Sequence, residues 1–255
     1  MYFAINYKLV FTGVSMSGIA GIFSKICIDM IGIRIKKMEE ALTHRGTDSN
    51  NTKDFNTRVA LAHRRLKVID LDDKSNQPMT SRSERYTIVF DGRIYNFKEI
   101  RKKLWQYDYI TQSDTEVLLA AMELKGINWL IKQLNGMFAM VIFDSKFNII
   151  YMLRDRFGEK PLYYTIINDT LIFASEIKSI LSSGLVEAKF NEEAIDNYLA
   201  NRYVREPYTF FENIYQLKTG SLMIIDSDIN IKEKAYWELP RLNLENYWDE
   251  RKIIE

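Results

Sequence analysis

Nucleophiles and bases are scarce in this chain. Cysteine occurs once, at Cys27, and histidine twice, at His44 and His63. Ser17 opens the run Met16-Ser17-Gly18-Ile19-Ala20-Gly21-Ile22-Phe23, whose small residues let backbone approach backbone. A serine alcohol attacks a carbonyl only when a base takes its proton; in a strand-like run it otherwise reads as a small packing residue. Arg65 stands at the edge of an alternating segment, and its planar fork suits a carboxylate, although a surface strand cation reads equally well there. Asp91 and Gly92 read as a turn after a strand. Ser113-Asp114-Thr115-Glu116, followed by Val117, Leu118, Ala121 and Met122, reads as a capping box that opens a helix, with the positive end of that helix near Asp114. Both histidines lie among arginines and read as hydrogen-bonded structural residues. Cys27 is too far along the strand–helix connection to stand in for Ser17.

The elements that would position these residues follow from periodicity. Residues 17–24 predict a strand. Ile33, Ile35, Met38 and Leu42 recur near helical spacing and predict one helix ending at Gly46. Alternation over 58–70 predicts one strand or two, and 86–90 another. Helical spacing returns at 97–107 and after Ser113. Residues 137–144, 149–153, 162–166 and 171–174 predict four strands with tight connections, which favours antiparallel pairing. A short helix after Glu176, a second near 191–200, strands near 221–226 and 229–236, and a helix start at 243–252 complete the chain. Trp129 and Trp237 read as packing residues. Strands, then helices, then strands again predict an α+β layered sandwich.

Composition narrows the function classes. At 255 residues and 47% hydrophobic content the chain can bury one large core. Lys and Arg number 35 against 34 Asp and Glu, so no excess charge favours a phosphate backbone and nucleic acid is not an expected partner. Apolar runs reach only strand length, which argues against a membrane span. A lone cysteine forms no internal disulfide and suggests a cytoplasmic location. The first sixteen residues lack a basic n-region, and Lys8 interrupts their apolar run, so no signal peptide is expected. They read as an extension; a start at Met16 with methionine trimming would instead leave Ser17 as a free N-terminus.

Several motifs, in order, resemble those of class II glutamine amidotransferases, most closely the glutaminase half of glutamine-dependent asparagine synthetases. That half begins Met-Cys-Gly-Ile-Ala-Gly, against Met16-Ser17-Gly18-Ile19-Ala20-Gly21 here. His44-Arg45-Gly46-Thr47-Asp48, His63-Arg64-Arg65-Leu66 with Val68-Ile69-Asp70, Asp91-Gly92-Arg93-Ile94-Tyr95-Asn96, Ser113-Asp114-Thr115-Glu116, Leu134-Asn135-Gly136-Met137-Phe138-Ala139 and the run from Arg154 to Tyr164 all have counterparts. The resemblance implies the four-layer αββα sandwich of N-terminal-nucleophile hydrolases over residues 17–237. Residues 1–16 are then an extension and 238–255 the start of a linker or helix toward a synthetase domain.

What the resemblance implies for the site departs from the family at three places. The family's nucleophile is an N-terminal cysteine whose own α-amine is the base; Ser17 occupies that position, and a preceding peptide bond leaves an amide nitrogen that is no base. An asparagine side chain and the next glycine N–H form the oxyanion hole; Asp91 and Gly92 stand there, and an ionised carboxylate accepts but does not donate. Losing one such donor costs about 3–4 kcal/mol of transition-state stabilisation. Arg65 would take the glutamine α-carboxylate, with Leu66, Val68, Ile69 and Gly92 around it. Asp114 would hold the ammonium together with a glutamate, whose place is taken by Arg93. Arg93 is expected either to pair with Asp91 and collapse the pocket or to act as a new donor.

The implied function is hydrolysis of L-glutamine to glutamate and ammonia, weakened or lost in this chain. Alternatives are a non-catalytic module that binds glutamine or a related amino acid, and the structural half of a split synthetase with a separate partner chain. No metal and no cofactor are expected in this chain; ATP and Mg would enter only with a separate synthetase domain, whose Ser-Gly-Gly-x-Asp-Ser loop does not occur in this sequence. A homodimer is left open.

Overall fold

A computed structural model describes residues 16–240. In chain order the elements are β1 (Gly18–Ser24), α1 (Ile31–Glu40), β2 (Ser49–Asn56), β3 (Val59–Arg65), β4 (Met79–Thr80), β5 (Tyr86–Ile94), α2 (Phe97–Lys103), α3 (Asp114–Lys125), α4 (Ile127–Gln133), β6 (Gly136–Asp144), β7 (Ile149–Arg154), β8 (Tyr163–Ile167), β9 (Thr170–Ala174), α5 (Ile177–Ser182), α6 (Glu192–Asn201), β10 (Tyr215–Gln216), β11 (Ser221–Ile225) and β12 (Ile231–Ala235). Two antiparallel six-stranded sheets result, in the orders β10-β8-β9-β1-β3-β2 and β12-β11-β7-β6-β5-β4.

Strand alternation explains the layers. In β1, Ile19 and Phe23 face the second sheet while Ala20 and Ile22 face α1 and α5; in β6, Val141 and Phe143 face the first sheet while Met140 and Ile142 face the other helices. Period-two side chains on a strand buried on both faces must be apolar or hydrogen-bonded; in β1 residues 18–23 carry no polar side chain, and Ser24 at its end meets Thr170 Oγ1 at 2.8 Å. Three apolar layers therefore separate four structural ones, helices α1 and α5, the two sheets, and helices α2 to α4. This is the α+β, αββα architecture. Among the described residues no helix is long and apolar enough to cross a membrane.

The structure corrects several expectations. Asp91 and Gly92 are not a turn, because β5 runs on to Ile94 and pairs Asp91 with Ala139 and Gly92 with Phe138. The segment 58–70 holds one strand, which ends where Arg65 collects the carbonyls of the following loop. The box at Ser113 is half formed. Ser113 Oγ accepts from the Glu116 N–H at 3.2 Å, but Glu116 turns to the Ile110 and Thr111 N–H groups at 2.8 and 2.6 Å. Helical periodicity expected to 107 stops at Lys103, and α1 ends at Glu40 rather than Gly46. Strand β2 and helix α4 carry patterns that periodicity does not reveal, the first being a polar edge strand on β3. Trp129 packs against the helix-side core, and Trp237 meets Phe157 edge-on at 5.2 Å. The helix start expected at 243–252, and the extension over residues 1–15, lie outside the described residues.

Candidate active site

Alternation also decides what faces the cleft between the sheets. Ile19, Leu61 and Val89 point into the inter-sheet layer. Counting by twos along each strand then brings Ser17, His63, Arg65, Asp91 and Arg93 to the same side, at the end of that layer where the apolar residues stop. A cavity of about 310 Å³ opens there. Ser17, Arg65, Leu66, Val68, Ile69, Asp91, Gly92, Arg93 and Asp114 all line it, so the structure brings together every candidate site residue named from the sequence.

Ser17 is held at both ends. Its Oγ accepts the Leu66 N–H at 3.1 Å, and its carbonyl accepts from Arg45 Nε at 2.7 Å. The hydroxyl proton is thus left to point into the cavity. Arg45 is the residue that sequence reasoning missed. It is buried, donates from Nη2 to Asp91 Oδ2 at 2.8 Å and from Nη1 to Glu176 at 3.2 Å, and so ties β1, β5 and the start of α5 together. The signal lies in the motif from His44 to Asp48, whose resemblance alone gives Arg45 no role. Gly46 permits the arrangement, since a Cβ there would stand 2.4 Å from the Arg64 carbonyl carbon.

Asp91 therefore pairs with Arg45, not with Arg93, and the pocket is not collapsed. Burial pushes the Asp91 carboxyl above its usual range, opposed by the charges of Arg45 and Lys160; its Oδ2 accepts from the Arg45 guanidinium. Gly92 follows with φ at +151°, and a Cβ would sit 2.2 Å from the Met137 carbonyl oxygen, so only glycine fits.

Arg65 folds the cavity wall. Its Nη1 donates to Asp72 O at 2.9 Å and Asn76 Oδ1 at 2.7 Å, and its Nη2 donates to Asp70 O. Asp70 closes the same loop by accepting from Ser75 Oγ and Gln112 N at 2.8 and 2.9 Å. Three of the five guanidinium N–H groups are spent on neutral acceptors and two stay open. Asp114, at the N-terminus of α3, accepts the Ile94 N–H at 3.1 Å, and burial raises its pKa to about 6. Lys160, a further lining residue, is buried and donates to Met16 Sδ at 3.0 Å.

The histidines divide. His63 is buried beneath the site and donates from Nε2 to Phe90 O at 3.1 Å, with desolvation lowering its pKa to about 3. It is a neutral strut. His44 is half exposed and meets Glu176 at 2.7 Å. Cys27 lies at the far end of β1, beside Phe23 and Arg58, in a separate depression. Among the described residues no cluster of three His, Cys, Asp or Glu side chains could hold a metal ion.

Comparison with known proteins agrees with this geometry. The chain is 34% identical over 262 residues to a putative glutamine-hydrolysing asparagine synthetase of Methanocaldococcus jannaschii, covering 94% of this chain and 50% of that protein. It is 36% identical over 228 residues to asparagine synthetase 1 of Bacillus subtilis, covering 88% of this chain and 35% of the relative. It thus spans between a third and a half of the length of these relatives. The solved structure of glutamine phosphoribosylpyrophosphate amidotransferase from B. subtilis superposes with a TM-score of 0.64 at 17% identity, covering 87% of this chain and 50% of that one, which identifies the shared fold. Residues 16–237 match the profile of the glutamine amidotransferase domain, and the chain belongs to that family, with glutamine-hydrolysing asparagine synthetases among its relatives.

Proposed function

We propose that the cavity binds L-glutamine or a closely related amino acid and that hydrolysis at Ser17 is slow or lost. The observation that carries this reading is the buried Arg45–Asp91 ion pair beside Gly92. Negative charge develops on the amide oxygen as a tetrahedral intermediate forms, and the site must donate hydrogen bonds to it. Gly92 offers its N–H, but the neighbouring group is a carboxylate. Ser17 adds a second obstacle, because an alcohol is far less acidic than a thiol and its nitrogen is here acylated by Met16. The binding half of the site is better preserved, since Arg65 keeps two open donors and Asp114 retains a carboxylate for an ammonium.

Calorimetry on the intact chain tests binding, and release of glutamate from glutamine tests turnover. Binding at millimolar concentration or tighter, with turnover at the buffer rate, is the expected result. A Ser17→Cys, Asp91→Asn, Arg93→Glu variant without residues 1–16 should regain hydrolysis. Failure of a folded variant to do so would mean that the pocket differs from a glutaminase beyond these positions.

A second reading rests on the chain spanning half of the M. jannaschii relative. In it this domain works beside a separate synthetase domain, to which ATP and Mg would belong. Co-purification of such a domain from the native host supports that reading, and isolation without one opposes it.

A further inference from the structure

The cavity presents three charged anchors whose state is unequal. Arg65 has two N–H groups open. Asp114 has one oxygen engaged by the Ile94 N–H and forms no ion pair with any of the described residues. Arg93 is the unexplained one. It lines the cavity, yet its guanidinium makes no hydrogen bond or ion pair with any of the described residues, and among them it acts on Asp114 only through its field. Asp91, the nearest acid along the strand, is taken by Arg45.

An arginine side chain carries about 2 kcal/mol of rotamer entropy, and placing its fork in a concave site with no acceptor leaves five donors for whatever enters. A ligand that satisfies the three anchors needs two carboxylates, one for each guanidinium, and one ammonium for Asp114. Glutamine supplies only one carboxylate, and its neutral amide would leave Arg93 facing a weak acceptor.

We infer that Arg93 sets the specificity of this cavity toward acidic α-amino acids, of which glutamate and aspartate are the simplest, in preference to their amides. This rests on the amino-acid-binding reading above and sharpens it. Arg65 and Arg93 each take a carboxylate in a charge-assisted contact, and Asp114 takes the ammonium. The ligand carries one net negative charge, which offsets the unpaired charge of Arg93.

Calorimetric titration of the intact chain with L-glutamate, L-aspartate and L-glutamine at pH 7.5 tests the inference without any substitution. An acidic amino acid is expected to bind about tenfold more tightly than glutamine, the worth of one charged hydrogen-bonded contact. Arg93→Gln should bring the affinities together, and Arg93→Glu should reverse their order. Glutamine binding as tightly as or more tightly than both acids in the unsubstituted chain overturns the inference and leaves the amino-acid site standing. Absence of binding by all three overturns both.

Discussion

Arg45 Nη2 lies 2.8 Å from Asp91 Oδ2, and both side chains are buried. Asp91 stands on β5 of the second sheet, whereas Arg45 comes from the turn after α1 and also holds the Ser17 carbonyl just before β1 of the first, so the contact bridges the αββα sandwich at the mouth of its central layer. Replacing Asp91 by Asn is expected to cost about 2 kcal/mol, because a buried cation loses the nearer of its two carboxylate partners and keeps Glu176. Urea denaturation reads this directly. In the background of Ser17→Cys with residues 1–16 removed, the same change should raise glutamate release by about a hundredfold or more, since a donor replaces an acceptor.

Gly92→Ala should be more damaging than its size suggests. The added methyl meets the Met137 carbonyl at 2.2 Å in a backbone conformation that alanine avoids. A loss of about 3 kcal/mol or more is expected, visible as a lowered Tm, and the β5–β6 pairing beside the cavity should loosen in hydrogen exchange.

Two buried groups give the fold opposing pH dependences. Asp114 titrates at about 6 when folded, above the ordinary 3.8, so the folded state binds the extra proton and stability falls as pH rises between those values. His63 titrates at about 3 when folded, below the ordinary 6.5, so the unfolded state binds the extra proton and stability rises over that window. Between pH 4 and about 6 the slopes cancel. Asp114→Asn should unmask acid sensitivity at about 1.4 kcal/mol per pH unit, and His63→Gln should give the reverse slope. Denaturant midpoints measured at pH 4, 5 and 6 check both.

Arg65→Ala is expected to abolish amino-acid binding and to free the wall from Leu66 to Asn76, because the guanidinium carries three of its hydrogen bonds. A drop in affinity of about a hundredfold is expected by calorimetry. Faster proteolysis within 66–76 would show that the wall has opened.

Legibility in the sequence followed the physics of each element. Strands β1, β5, β6 and β9 are apolar on both faces and stand out by composition. Strand β2 is polar along an edge, held by its ladder to β3, and a polar edge strand has no hydrophobic pattern to find. Asp91 and Gly92 looked like a turn because Asp-Gly favours one; here a glycine inside a strand marks close approach by the neighbouring backbone. The nine lining residues came from motif order, while Arg45 and Lys160 escaped because their partners are distant in sequence, 46 residues away for Arg45 and Asp91 and 144 for Lys160 and Met16.

The bridge between Arg45 and Asp91 also acts as a ratchet on descent. A single change to a neutral donor at Asp91 removes the nearer of the two carboxylates that hold the buried Arg45 guanidinium and so weakens the fold. A lineage carrying this pair reaches a neutral donor at position 91 only by passing through a less stable intermediate or by altering Arg45 first. The residue beside Ser17 is thus also a property of how the two sheets are joined.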